Sequence, residues 1–278
     1  SADFPGMLLS HIFQPGESVF LTLTLLSQEN VRMDMKRNYY EDVQIFTSGT
    51  VIFWMGVLLL SLAIFPFVAK NYYVYVVNYM AINVIVVVGL NILVGYTGQI
   101  SLGHAGFFAI GAYGTLALML HANFPFLLAL PCAGLLAAIL GFLLGLPALR
   151  LDGPYLAIAT LGFGITATQI IGKIGFLGER MGLHAPELTI GSWHISTDKD
   201  FYFVLIPITV VLVIIARNII KTKVGRAFIS IRDADIAAST TGVNLTLYKT
   251  LAFALSAFYA GIGGGLYAFV LRFVEPEL

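Results

Sequence analysis

The sequence predicts an all-α, polytopic transmembrane helical bundle, and three observations carry that prediction. Of its 278 residues, 58% are hydrophobic and only 11% are charged. Mean hydropathy is +0.89. Several apolar runs reach the roughly 20 residues that a helix needs to cross a bilayer. Formal net charge is zero, and no dense basic stretch is interleaved with aromatics, so the electrostatic footprint of a nucleic-acid binder is missing.

Two domains are expected: an N-terminal arm over residues 1–49 and a transmembrane domain over residues 50–278. In the arm, Met7 to Phe13 is too short and wrongly flanked for a secretory signal. Val19 to Leu26 is too short to span, and Arg32 to Asp42 is polar and charged, so the arm reads as cytosolic or interfacial. The start at Ser1 and the abrupt end, Glu275-Pro-Glu-Leu278, lead us to expect a boundary at the first residue and a cut C-terminus.

Seven spans follow from the apolar runs: about Thr50 to Ala69, Tyr73 to Val94, His104 to Leu120, Phe126 to Leu149, Tyr155 to Ile174, Phe201 to Ile215 and Thr250 to Val274. Trp54, Tyr72, Tyr73 and Tyr75 lie near span ends, where amphipathic rings occupy the headgroup layer. Alternating sides places ten basic residues together (Arg32, Lys36, Arg37, Arg150, Arg217, Lys221, Lys223, Arg226, Arg232 and Lys249). Lys70, Lys173, Arg180, Lys199 and Arg272 fall opposite. Excess positive charge marks the cytoplasmic side, so the N-terminus and the loop over residues 217–249 are expected in the cytoplasm and Gly175 to Asp200 outside.

Between the second and third spans the chain reads Gly-Tyr-Thr-Gly-Gln-Ile-Ser-Leu-Gly-His over residues 95–104. Irregular backbone between membrane helices needs protein or water around it, so this segment marks a candidate solute pathway. Its candidates are Gly95, Tyr96, Thr97, Gly98, Gln99, Ser101, Gly103 and His104. An ionisable group in a membrane segment is a functional suspect; His104 either meets a solute or caps a helix near the interface. Thr97, Gln99 and Ser101 either bond a polar solute or satisfy local backbone.

In the cytoplasmic loop, Asp233 reads as an N-cap, Ala234 to Thr241 as two helical turns, Gly242 as a left-handed stop and Asn244 as the cap of the next span. Such a capped elbow either presses on a soluble partner or rests on the lipid surface. In the last span Ala254, Ala257, Gly261, Gly264 and Ala268 recur at steps of three and four, a seam for close helix approach; Ala105, Ala109 and Ala112 form a similar stripe on the third. The single cysteine, Cys132, lies in an apolar run and reads as packing.

Absences narrow the function. Apart from His104, the span middles hold no Asp, Glu, Lys or Arg, the groups that ion-coupled carriers use. No Walker lysine loop occurs, so nucleotide chemistry would belong to a partner. The five histidines, His11, His104, His121, His184 and His194, show no close paired spacing, which argues against a membrane-embedded metalloenzyme.

The run GLNILVGYTGQISLGHAGFFAIGAY resembles the signature of M-type permease subunits of branched-chain amino-acid ABC importers. The run KVGRAFISIRDADIAASTTGVNLTLYKTLAFALSAFYAGIGGGLYA resembles the same family's cytoplasmic loop and following helix. The resemblance extends from about Tyr72 to Glu275. It implies an inner-membrane permease paired with an H-type permease, driven by two ATPase subunits and supplied by a periplasmic binding protein. No cofactor is expected on this chain, with ATP and Mg on the ATPases. It also implies a coupling helix at Asp233 to Gly242, with contacts from Asp233, Asp235, Ile236, Ala237, Ala238 and Gly242. Ile236 stands where an acidic residue often precedes the two alanines, and Asp235 comes one position earlier. The usual Thr-Gly-Gly stretch after the fifth span is replaced by Gly175 to Leu183, and the usual later helices are absent. The cargo expected is a branched-chain or related hydrophobic amino acid; urea or a short amide is the alternative, and a passive channel or ion-coupled carrier the rival of another class.

Overall fold

A computed structural model describes residues 49–148, 151, 153–177, 181–190 and 193–275. The expected arm before Gly49, Arg150 and Arg180 lie outside the described residues. The chain divides into two compact units, residues 1–57 and 58–278. Of the first, the described part is the opening of helix α1 (Gly49–Val68), where the Phe53 and Trp54 rings meet edge to face at 5.9 Å.

The second unit contains the remaining elements. Helix α2 (Asn71–Asn91) runs into a π-turn (Ile92–Tyr96). There follow α3 (His104–Ala122), α4 (Phe126–Ala148), α5 (Pro154–Ile171), α6 (Asp198–Lys221), α7 (Lys223–Asp233), α8 (Asp235–Thr240) and α9 (Leu245–Leu271). Among the described residues six helices are long and apolar enough to cross a membrane: α2 with its π-turn, α3, α4, α5, α6 and α9. The first expected span forms α1, which contributes a shorter apolar stretch, Gly56–Val68. The protein is a polytopic helical membrane bundle, and large apolar side chains such as Leu128, Leu136 and Ile139 stand exposed on it, as lipid contact requires.

The sixth and seventh spans differ in extent from the sequence reading. The sixth span is longer than Phe201 to Ile215: Thr197 and Asp200 form a reciprocal capping box at its start, and the helix runs on to Lys221, past Arg217. The seventh begins five residues before Thr250, where the Asn244 side chain accepts from the Leu247 N–H at 3.1 Å. The charged flanks could enter these helices because long cationic stems reach past an apolar face to the interface.

Helix α9 is the centre of the bundle. Of its apolar window 72% is buried, against 28–44% in the other five, and it packs on α4, α3 and α2. The small-residue seam explains how. A Cβ at Gly261 would strike the Ala137 methyl on α4 at 2.7 Å, and one at Gly264 would overlap the Phe108 carbonyl on α3. Without side chains there, backbones approach closely and dispersion replaces the missing hydrophobic drive. On α3 the expected stripe holds at Ala109 and Ala112, which are buried, but Ala105 is exposed; Gly106 takes its place, against Gly164 of α5. Cys132 is half-buried in α4.

Prolines inside helices leave carbonyls without their intrahelical donor. In α1, Pro66 has no N–H for Leu62, and the Tyr202 hydroxyl of α6 donates to that carbonyl at 2.8 Å. At the far end of the bundle from the elbow, four short strands among the described residues depart from a purely helical reading. Strand β1 (Leu183–His184) pairs antiparallel with β4 (Phe273–Val274), and β2 (Leu188–Ile190) with β3 (Trp193–Ile195).

Candidate functional site

The broken segment begins as a widening of α2. Gly95 in the π-turn has no Cβ because one would overlap the Asn91 side chain, and π-turns of this kind recur at functional sites. The helix closes with Gly98 at φ +69, the left-handed region that glycine enters without penalty. Its N–H bonds the Val94 carbonyl and the Gln99 N–H bonds the Leu93 carbonyl, each at 3.2 Å.

The polar side chains of the segment face inward. Thr97 is buried and donates to the Leu93 carbonyl, and the Gln99 amide donates to the Thr97 hydroxyl at 3.0 Å. His104, the first residue of α3, is also buried. Its Nδ1 shares a hydrogen bond with the Ser101 hydroxyl at 3.2 Å, and its Nε2 one with the Ser256 hydroxyl of α9 at 2.5 Å. Both ring nitrogens therefore engage protein. On α5, the Thr160 hydroxyl accepts from the Leu102 N–H at 3.0 Å, and a Cβ at Gly103 would overlap the Thr160 carbonyl. Tyr96 is half-buried beside this network.

The elbow lies at the same end of the bundle. Thr222 caps α7 by accepting from the Val224 N–H at 3.2 Å, and Ala227, Phe228 and Ile231 bury one face of that helix. Asp233 is the last residue of α7 rather than an N-cap. Its carboxylate pairs with Arg232 at 3.0 Å, and Ala234, extended at φ -162, makes the break between the two helices. The first helix thus runs through Asp233, and the next begins at Asp235, one residue after the expected Ala234. Helix α8 then covers Asp235–Thr240, and Gly242 at φ +88 terminates it as expected.

Of the elbow candidates, Ile236 is 82% exposed at the tip. Ala237 is exposed and Ala238 is buried. The Asp235 carboxylate accepts from Lys249 of α9 at 2.6 Å, so it tethers the elbow to the central helix.

Tertiary structure joins the two candidate regions. The Arg232 guanidinium donates to the Gly95 carbonyl at 3.1 Å, and a cavity of about 270 Å³ is lined by Thr97 and Gln99 together with Asp233, Asp235 and Lys249. Sequence reasoning did not single out Arg232, Thr160 or Ser256. Arg232 stood among the basic residues of the loop, and a serine or threonine inside an apolar span gives no local signal of its partner.

Comparison with known proteins adds a direction. The family described as "Branched-chain amino acid transport system / permease component" matches residues 72–278. Two curated relatives, each a "High-affinity branched-chain amino acid transport system permease protein LivM", come from Salmonella typhimurium and Escherichia coli. Each is 34% identical over 175 residues, covering 53% of this chain and 41% of the relative. The match thus spans about two fifths of the length of these relatives. No solved structure matches the chain.

Proposed function

Because the chain belongs to the branched-chain amino acid transport system permease family, we propose that it is the membrane subunit of an ATP-driven importer that carries branched-chain or related hydrophobic amino acids. It works by alternating access in the bacterial inner membrane, with the elbow in the cytoplasm. A second, H-type permease subunit, two ATPase subunits and a periplasmic binding protein complete the assembly, and ATP and Mg are handled by the ATPases.

The observation that carries this reading is the direct bond from Arg232 on the elbow to Gly95 in the π-turn. A push on the exposed tip at Ile236 reaches α9 through the Asp235–Lys249 pair and the broken segment through Arg232. The elbow is therefore tied to two rigid elements, and its displacement shifts both. Packed interfaces switch between discrete arrangements rather than deforming continuously, so a small displacement can change access. Binding of ATP would supply the bias between the two states.

The test is uptake by the reconstituted assembly. Vesicles holding this chain with its permease and ATPase partners should accumulate leucine only with ATP inside and binding protein outside. Accumulation of urea in preference to leucine would move the cargo to a short amide. Solute flux through this chain alone, without nucleotide, would replace the importer reading by a passive channel.

A further inference from the structure

At the end of the bundle away from the elbow lies a second cavity, of about 350 Å³, within the roughly 300–1,000 Å³ of small-molecule sites. Its floor is apolar: Phe201 of α6, Phe269 of α9 and Leu188 of β2, all buried. Its lining also carries charges of both signs, Arg272 with Glu187 and Asp198.

Arg272 is held there by the backbone. It ends α9 at φ +60, a left-handed conformation uncommon for a residue with a side chain and worth attention where it recurs near function. One guanidinium nitrogen, Nη2, donates to the Ser196 carbonyl, which fixes the fork and leaves further N–H groups for an acceptor. Among the described residues neither the Glu187 nor the Asp198 carboxylate takes part in a hydrogen bond or an ion pair. The cavity beside the elbow differs: there Arg232 and Lys249 are already matched with Asp233 and Asp235.

We propose that this cavity is an entry site for a zwitterionic α-amino acid with an apolar side chain. Its carboxylate is received by the Arg272 fork, its ammonium by Glu187 and Asp198, and its side chain by Phe201, Phe269 and Leu188. A planar guanidinium matches a carboxylate in two parallel bonds. Urea offers this lining hydrogen bonds but no charge, so it forgoes the charge-assisted bonds that a zwitterion makes with Arg272 and the carboxylates. A lysine-like solute satisfies the carboxylates but sets a second ammonium on the aromatic floor. The proposal rests on the importer reading and deepens it, since it assigns residues of this chain to the carboxylate, the ammonium and the side chain of the cargo.

The test uses the whole permease–ATPase assembly in nanodiscs, without binding protein, and radiolabelled leucine in equilibrium dialysis. Leucinamide, which lacks the carboxylate, 4-methylpentanoate, which lacks the ammonium, and urea serve as competitors. We expect unlabelled leucine to compete at least tenfold better than any of the three. Arg272→Gln should erase the preference of leucine over leucinamide, and Arg272→Lys should restore part of it. Glu187→Gln with Asp198→Asn should erase the preference over 4-methylpentanoate. Each preference is a ratio within one preparation, so a loss of folded protein lowers all signals without moving it. Unchanged ratios in both variants, with ATP-driven leucine uptake intact in the wild type, would overturn the site and leave the importer reading standing. Wild-type vesicles that fail to take up leucine at all would overturn the reading beneath it.

Discussion

Arg232 and Gly95 are 137 residues apart in sequence, and the guanidinium of one donates to the carbonyl of the other at 3.1 Å. The arginine belongs to the elbow and the glycine to the π-turn of a membrane helix, so one bond crosses between the two regions that the sequence marked separately. Replacing Arg232 by Gln should lower leucine uptake per ATP hydrolysed about tenfold, because a hydrogen bond to a charged group contributes about 1.5–3 kcal/mol. The Arg232–Asp233 pair is largely exposed and adds little. Parallel measurement of uptake and phosphate release in proteoliposomes decides it; an unchanged ratio removes Arg232 from the coupling route.

Gly242 has φ +88, and no atom lies within 4 Å of where its Cβ would stand. The cost of a side chain there is one of backbone conformation rather than collision. Valine at this position should strain the stop by about 1–2 kcal/mol and uncouple hydrolysis from uptake while insertion into the membrane stays intact. Asparagine, which enters the left-handed region more readily, should remain coupled. Equal coupling ratios for the two variants would show that the stop has no part in transmission.

Gly264 packs its Cα side against the Phe108 carbonyl. Leucine there must separate α9 from α3, at a cost of about 1–3 kcal/mol or more in overpacking. Gly114→Ala is the control, since its new methyl would meet Ala133 at 3.4 Å, an ordinary contact. Thermal unfolding in detergent should show a clear loss for the first variant and almost none for the second. Equal melting temperatures would refute close approach at this seam.

His104 and Ser256 tie the start of α3 to the middle of α9. Replacing either by Ala leaves the other partner buried with a lost bond, so a double-mutant cycle should report a coupling of about 1–2 kcal/mol in unfolding. Additive losses would mean that the two side chains act independently.

Ile236 at the exposed tip of α8 gives a direct assay of sidedness. In a Cys132→Ser background, Ile236→Cys should react with an impermeant maleimide in inside-out vesicles and stay unlabelled in right-side-out ones. The reverse pattern would place the elbow outside and end the proposed route from the ATPases.

What the sequence determined by itself was local. Apolar runs of bilayer length located the spans, Gly242 and Asn244 located the end of the elbow and the start of α9, and the steps of three and four among small residues located the buried seam of α9. Each depends on neighbours within a few residues, where backbone geometry and solvent preference act directly. Tertiary structure decided the rest. His104 meets Ser256 across 152 residues and Leu102 meets Thr160 across 58, while Ala105 turns outward where Gly106 turns in. Whether Asp233 closes one helix or opens the next was likewise settled by how α7 packs and pairs. Hydroxyls and cations in a membrane bundle take whichever partner the packing of the helices presents, and that choice is made only when the chain is folded.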